Sequence, residues 1–241
     1  MPKVLKVNDV ADKFHVKHKI FDLPFRLLLN SKSQIGMGKT TLILNLLLNP
    51  EMGYSKYFKG DNIYIVSNNK LDNKLKMLAE YKEIPESNIM SYDEGILMAL
   101  YDQLEEDFIQ DKADGEFHHR LIIMDDVGYS NSLKNKQAGV ISKLISNGRH
   151  LGLSQCYTTQ RFTMCSSILK SNITAACFGN TSMAELEQIA ESFNYLNSKK
   201  DFIKLFRTYT AEPRSFLCVN FSSPDGIYQD KEFKTIDTKS L

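Results

Sequence analysis

The sequence has few cysteines, almost no net charge and no long apolar run, and each absence excludes a class of protein. The four cysteines form no Cys-x-x-Cys pair and have no metal-ligand spacing with the histidines. Neither a disulfide scaffold nor a zinc site is therefore expected. Each cysteine lies in or beside an apolar segment, where a buried free thiol is the usual arrangement, and this indicates a reducing compartment.

Charge of one sign is not in excess, because 30 Lys and Arg residues stand against 29 Asp and Glu residues. Contact with DNA must therefore come from a local patch, or from lysines that assembly concentrates in one place. The longest nearly apolar run, Leu42 to Leu48, is too short to span a bilayer, and the opening residues lack a signal-peptide pattern. We expect an intracellular protein with no membrane segment.

What is present suffices for one large domain. The chain has 241 residues, of which 42% are hydrophobic, enough for a sizeable core. Residues 1–22 carry more lysines than acids and are predicted to form an N-terminal basic arm. Residues 23–241 are predicted to form a single α/β domain, because strand and helix patterns alternate along them.

The most informative stretch has the sequence Ser-Gln-Ile-Gly-Met-Gly-Lys-Thr and runs over residues 33–40. A buried-strand pattern precedes it at 25–30, and a helical pattern follows at 41–48. A phosphate-binding loop occupies this kind of strand-to-helix turn, where backbone N–H groups bind phosphate oxygens. The residues predicted to bind a nucleotide are Ser33, Gln34, Ile35, Gly36, Met37, Gly38, Lys39, Thr40 and Thr41.

Residues of this stretch have separate expected roles. Gly36 and Gly38 let the backbone curl without side-chain obstruction. Lys39 can reach the outer phosphates, and the Thr40 hydroxyl can ligate Mg²⁺. Ser33 departs from the usual pattern, which opens with glycine, and is costly there if the position needs a positive φ.

A buried-strand pattern begins at Arg120 and ends in two carboxylates, Asp125 and Asp126. The carboxyl ends of parallel strands are where ligands bind in open α/β sheets. We expect Asp125 to bind the metal ion, directly or through water, and Asp126 to polarise an attacking water. A later strand pattern over 151–160 ends in Gln160, whose amide can hydrogen-bond both a water and a γ-phosphate oxygen.

These blocks, with Ser146 to Ser154 leading into Thr158 to Phe162, resemble the FtsK/HerA superfamily. Within it they are similar to genome-packaging ATPases of poxviruses, other large DNA viruses and virophage-like relatives. The resemblance runs from about residue 25 to 221. It implies a RecA-like P-loop NTPase fold of the additional-strand type, with a mostly parallel sheet flanked by helices on both faces.

The resemblance also implies a function, in which a ring-shaped motor, a hexamer or a pentamer, hydrolyses ATP with Mg²⁺ to drive double-stranded DNA into a preformed capsid. The partners would be DNA and capsid or packaging-vertex proteins, and the location would be the host cytoplasm, a viral factory or the virion. Lys39, Asp126, Gln160 and Arg149 would be catalytic, and Thr40 and Asp125 would hold the metal. Arg149 would act across a subunit interface, with Arg161 as the second candidate.

The residues that touch DNA are less well defined by the sequence. The segment 129–136 follows the acids and could line a ring channel, where Lys134 and Lys136 would contact phosphates. Two other functions remain open: a P-loop enzyme acting on a small molecule, such as a nucleotide kinase, and a nucleotide-binding scaffold that does not hydrolyse.

Overall fold

The computed structural model describes residues 10–32, 38–67, 73–126 and 139–238. Within these ranges the strands form one mixed sheet. They are β1 (Arg26–Asn30), β2 (Ile63–Ser67), β3 (Ile89–Met90), β4 (Arg120–Asp125), β5 (Leu153–Thr159), β6 (Ala175–Phe178), β7 (Leu217–Asn220) and β8 (Tyr228–Gln229). The helices are α1 (Lys39–Leu48), α2 (Asn73–Lys82), α3 (Glu94–Asp114), α4 (Val140–Asn147), α5 (Ser167–Asn172), α6 (Met183–Phe193) and α7 (Lys199–Tyr209).

The strand order across the sheet is β3-β2-β4-β5-β1-β6-β7-β8. Neighbouring strands from β3 to β6 pair in parallel, and β7 pairs antiparallel with both β6 and β8. Strand β5 lies between β1 and β4, so one strand separates the strand before the phosphate loop from the strand that carries the acids. This confirms the mostly parallel sheet predicted from the sequence.

Both faces of the sheet are covered, because the central strands are apolar on both sides. Successive side chains of β1 point alternately to the two faces of the sheet, into two different core clusters. Leu28 packs into the core cluster that includes residues of α3, α4, α6 and α7. Leu27 and Leu29 pack into the cluster that includes residues of α1 and α2. None of the helices in the described part of the chain is long and apolar enough to cross a membrane.

Several boundaries differ from the sequence-based predictions. The charged sequence over 110–118 predicts a loop, but α3 continues to Asp114 and ends at Gly115 in the left-handed region. Strand β5 is shorter than the predicted 151–160. The sequence also predicts a short helix over roughly 164–170, which begins at Ser167 as α5. Of a helix that the sequence predicts over 133–147, the described part runs from 140 to 147 as α4.

Part of the predicted N-terminal arm belongs to the core. Phe14, Ile20 and Phe21 are buried, and Val16 pairs with Leu23 in an isolated antiparallel bridge. The Phe14 ring packs edge-on against Phe117 at a centroid distance of 5.3 Å. Residues 1–9 lie outside the described residues, and the domain boundary after residue 22 stays a prediction.

Candidate active site

The candidate site lies at the carboxyl edge of the sheet, where three adjacent strands end. Asn30 of β1 is opposite Thr159 of β5, and Met124 of β4 is opposite Tyr157 of β5. Since the three strands are parallel, their polar carboxyl-terminal residues gather at one edge. Helix α1 begins close to this edge and packs on the face that Leu27 and Leu29 occupy.

The start of α1 has the geometry of an anion-binding turn. Gly38 is the N-cap residue and has φ of 75°, in the left-handed region that favours glycine. A Cβ there would make ordinary contacts with Thr41, so it is the backbone conformation rather than space that favours glycine. Lys39 and Thr40 follow in the first turn, whose N–H groups lack helical partners.

Lys39 is held over this edge by a contact with the end of β1. Its Nζ donates a hydrogen bond to the Ser31 carbonyl oxygen, at 2.8 Å. Burial lowers the pKa of Lys39, and the Asp126 and Asp125 carboxylates oppose part of that shift. The ammonium group therefore lies close enough to both acids to feel their charge. This brings the predicted phosphate-binding lysine and the predicted acids into one site.

Thr158 connects the two acids. It is buried, and its hydroxyl donates to Asp125 Oδ1 at 2.8 Å. The same hydroxyl oxygen accepts a hydrogen bond from the Asp126 backbone N–H, also at 2.8 Å. One side chain of β5 thereby fixes the carboxylate of Asp125 and the backbone of Asp126.

Asp126 is in a strained conformation that its neighbours maintain. Its φ is 49°, which is uncommon for a residue other than glycine, although aspartate tolerates it better than most. Gln160 Nε2 donates to Asp126 Oδ2 at 2.7 Å. Asp126 Oδ1 is buried and accepts no hydrogen bond from the residues that the structure describes. That oxygen is a candidate acceptor for a proton or for a water molecule.

The oxygen ligands suit a magnesium ion bound together with a nucleotide. Thr40 offers a hydroxyl, Asp125 offers a carboxylate, and Mg²⁺ prefers hard oxygen ligands. The described residues contain no cluster of three or more His, Cys, Asp or Glu side chains that could hold a metal alone. Mg²⁺ bound with a nucleotide takes one or two protein ligands and completes its shell with phosphates and waters.

Arg149 is at the opposite edge of the sheet. It lies in a short 3₁₀ helix over 148–151 that precedes β5, and it lines a surface cavity with Pro24 and Thr174, which precede β1 and β6. It is therefore remote from Asp126 of its own chain. Arg161, the second candidate, is exposed and directly follows Gln160 at the site edge.

Other predicted residues lie outside the described residues. These are Ser33, Gln34, Ile35, Gly36 and Met37 of the loop, and the whole segment 129–136 with Lys134 and Lys136. Thr41 is described and is exposed on the first turn of α1.

The sequence pattern assigns no role to Thr158. The available signal is its position two residues before Gln160, because side chains i and i+2 of an extended chain point to the same face. A polar pair at that spacing, at the carboxyl end of a strand, indicates that both side chains face the site.

The fold and the site together define a P-loop NTPase. The chain belongs to the family described as Poxvirus A32 protein, whose model matches residues 12–235. This confirms the resemblance predicted from the sequence.

Among curated proteins, the chain is similar to the DNA packaging protein OPG160 of Variola virus. The two are 24% identical over 202 residues, which cover 83% of this chain and 69% of the relative. Among solved structures, the genome packaging NTPase B204 from Sulfolobus turreted icosahedral virus 2, in complex with ATP-gammaS, has a TM-score of 0.57 at 17% identity. That match covers 86% of this chain and 95% of B204.

A further structural match is EssC (ATPases 2 and 3) from Geobacillus thermodenitrificans, with a TM-score of 0.55 at 13% identity. It covers 89% of this chain and 41% of EssC. At such low identity the structural matches support the fold assignment alone.

Proposed function

We propose that the protein is an ATP-hydrolysing motor that moves double-stranded viral DNA into a preformed capsid. The observation that carries the proposal is the hydrogen bond of 2.7 Å from Gln160 to Asp126, made on the edge where Lys39 begins α1. A carboxylate positioned by a neighbouring strand can act as a base on water. The family match supports DNA packaging as the work that hydrolysis drives.

The residues of the site have defined tasks in this mechanism. The loop and the first turn of α1 bind the phosphates, and the ammonium group of Lys39 contacts the outer phosphates. Asp126 accepts the proton of the attacking water, while Gln160 holds the carboxylate and orients the water. Thr158 keeps Asp126 in place through the backbone N–H.

Magnesium would be held by Thr40 and, directly or through water, by Asp125. When bound, it would neutralise negative charge that develops on the phosphates. The hydroxyl of Thr158 donates to Asp125 Oδ1 and so fixes the orientation of this carboxylate. We expect such preorganisation to reduce the cost of ordering the site.

Arg149 would complete the site of a neighbouring subunit. Its position at the amino edge of the sheet keeps it away from its own Asp126. A head-to-tail arrangement joins two different surfaces of the same chain, and it closes into a ring when the rotation permits. Such an arrangement would bring the amino edge of one subunit to the carboxyl edge of the next.

The decisive experiment measures ATP hydrolysis by the full chain with and without double-stranded DNA. Lys39→Ala and Asp126→Asn should each abolish DNA-stimulated hydrolysis, and Asp102→Asn, an exposed change on α3, should not. Phosphorylation of a small acceptor would indicate a kinase instead. Tight ATP binding without turnover in the wild type would indicate a scaffold.

Mixing two inactive variants tests the role of Arg149 in trans. Arg149→Ala keeps its own Asp126, and Asp126→Asn keeps its own Arg149, so a mixed ring contains some complete sites. We expect partial recovery of ATPase activity at intermediate mixing ratios. Absence of recovery at every ratio, with mixed assembly verified by cross-linking, would refute the assignment. The same test with Arg161→Ala serves as the comparison.

A further inference from the structure

A second lysine reaches the first turn of α1 from the neighbouring helix. Lys74 Nζ donates a hydrogen bond of 2.8 Å to Thr41 Oγ1. Thr41 directly follows Thr40, which is predicted to ligate the metal. The ammonium group of Lys74 is therefore placed beside the turn where phosphates are expected.

The packing of α2 sets the position of Lys74. Leu75 and Leu78 of the same helix are buried in the core cluster that contains Leu42 and Leu46 of α1. This packing fixes the rotation of α2 and leaves Lys74 and Lys76 on its exposed side. Lys74 is the second residue of α2, so its side chain starts near the carboxyl edge of β2.

The electrostatics of this arrangement favour a bound anion. The N-terminus of a helix carries partial positive charge, which makes nearby acidic side chains favourable and nearby lysines unfavourable. The first turn of α1 contains no acidic residue, and it contains Lys39. The Asp125 and Asp126 carboxylates already act on Lys39. Lys74 adds a second ammonium group on the Thr41 side of the turn, and a phosphate chain would offset the added positive charge.

We propose that Lys74 is a second phosphate-binding lysine of the nucleotide site. The inference rests on the proposed function only in that the ligand is a nucleotide. Lys74 would contact the phosphate chain and not the base, because its contact is with the helix turn that follows the loop. A charge-assisted contact of this kind is typically worth about tenfold in affinity or more.

The competing explanation is that Lys74 only ties α2 to α1. A tie of that kind contributes to folding stability and leaves nucleotide affinity unchanged. A phosphate role therefore predicts a loss of nucleotide affinity when Lys74 is removed, whereas a structural role predicts only a small loss of folding stability, because an exposed contact contributes little.

Equilibrium binding of ATP, ADP and adenosine to the full chain, measured by calorimetry in the presence of Mg²⁺, tests the proposal. Lys74→Ala should weaken ATP and ADP binding about tenfold and leave adenosine binding unchanged. Lys74→Arg should retain most of the affinity. Lys76→Ala is the matched control, since it removes the same charge from the same helix two residues away, and it should bind like the wild type.

Two results would overturn the proposal. One is unchanged ATP affinity in Lys74→Ala under conditions where Lys39→Ala loses binding. The other is an equal loss for Lys74→Ala and Lys76→Ala, which would indicate a general effect of net charge. Because the assay measures binding, it gives an answer whether or not the wild type hydrolyses ATP. Failure of this inference and failure of the proposed function are therefore distinguishable.

Discussion

Replacing Thr158 with valine should damage both stability and catalysis, and the structure allows the size of the effect to be worked out. The buried hydroxyl makes two hydrogen bonds of 2.8 Å, one to a carboxylate and one from a backbone N–H. Valine has nearly the same shape and makes neither bond. A hydrogen bond to a charged group contributes about 1.5–3 kcal/mol, and an unsatisfied buried donor costs about 1–3 kcal/mol.

The two effects overlap because they share one oxygen, so we expect a loss of about 3 kcal/mol in the free energy of unfolding for Thr158→Val. For a domain of this size that corresponds to about 6–12 °C in the midpoint of thermal unfolding. Because Asp126 also loses the contact that holds its backbone, we expect kcat to fall by more than tenfold with a smaller change in KM.

Denaturant titration and steady-state ATPase kinetics check this prediction. Thr210→Val is the matched control, because Thr210 is also buried and its hydroxyl makes a single hydrogen bond of 2.8 Å, to the Phe206 carbonyl. The control should lose about 1 kcal/mol and keep its kcat. Thr158→Ser, which keeps the hydroxyl, should lie close to the wild type in kcat. If Thr158→Val matches Thr210→Val in both measurements, the bridging role is wrong.

Three further predictions address other contacts. Gln160→Glu replaces the amide that donates to Asp126 at 2.7 Å with a carboxylate, so two like charges face each other. ATPase activity should therefore fall at least tenfold at pH 8. A pH–rate profile should show partial recovery on acidification, because protonation of one carboxyl group restores a donor. Asp111→Asn removes the carboxylate that the buried Arg120 guanidinium contacts at 2.8 Å and leaves only the longer contact with Asp107, at 3.7 Å, among its described carboxylate partners. Denaturant titration should show a loss of about 3 kcal/mol. Burial lowers the pKa of Lys39 from its ordinary 10.5. As pH rises through that lowered pKa, Lys39 loses its positive charge, and ATP affinity measured by calorimetry should decline. Lys39→Ala should lack this decline.

The pH dependence of the Asp111 contribution has a defined sign. Burial by itself raises the pKa of this carboxyl, but hydrogen bonds from Arg120 and His118 outweigh it and lower the pKa below its ordinary 3.8. A depressed carboxyl pKa gives stability that is present above pH 3.8 and is lost as pH falls through the folded-state value. Below that pH the wild type and Asp111→Asn should converge in stability.

The sequence predicted the centre of the sheet well because central strands are apolar on both faces and end in polar residues. The run from Leu121 to Met124 could hardly be anything but a buried strand, and the acids that follow had to lie at its carboxyl edge. The Gln160 prediction followed from the same logic. In the structure Gln160 donates a hydrogen bond to Asp126 at 2.7 Å, a contact that no sequence pattern could supply.

The charged composition of the last turn of α3 does not predict a helix, because the contact that Asp111 makes with Arg120 of the following strand is tertiary. Asp111 is buried although it lies in a charged stretch, since Arg120 and His118 provide its partners. Strands β3 and β8 have two residues each, too few for a recognisable alternation. In each case the deciding interaction is tertiary, and local composition carries no trace of it.

Strand β5 lies between two groups of residues for which we propose catalytic roles, Thr158 and Gln160 at its carboxyl end and Arg149 before its amino end. At its carboxyl end, Thr158 and Gln160 hold Asp126 in a conformation that costs on the order of 1 kcal/mol or more to maintain. The seven residues of β5 span about 23 Å at the usual rise of a strand, and the turn that holds Arg149 precedes its amino end. Within the proposed ring, the same strand would position the base in its own site and the arginine of the next. A shift of β5 within the sheet would then affect two neighbouring sites at once, as sequential hydrolysis around a ring requires.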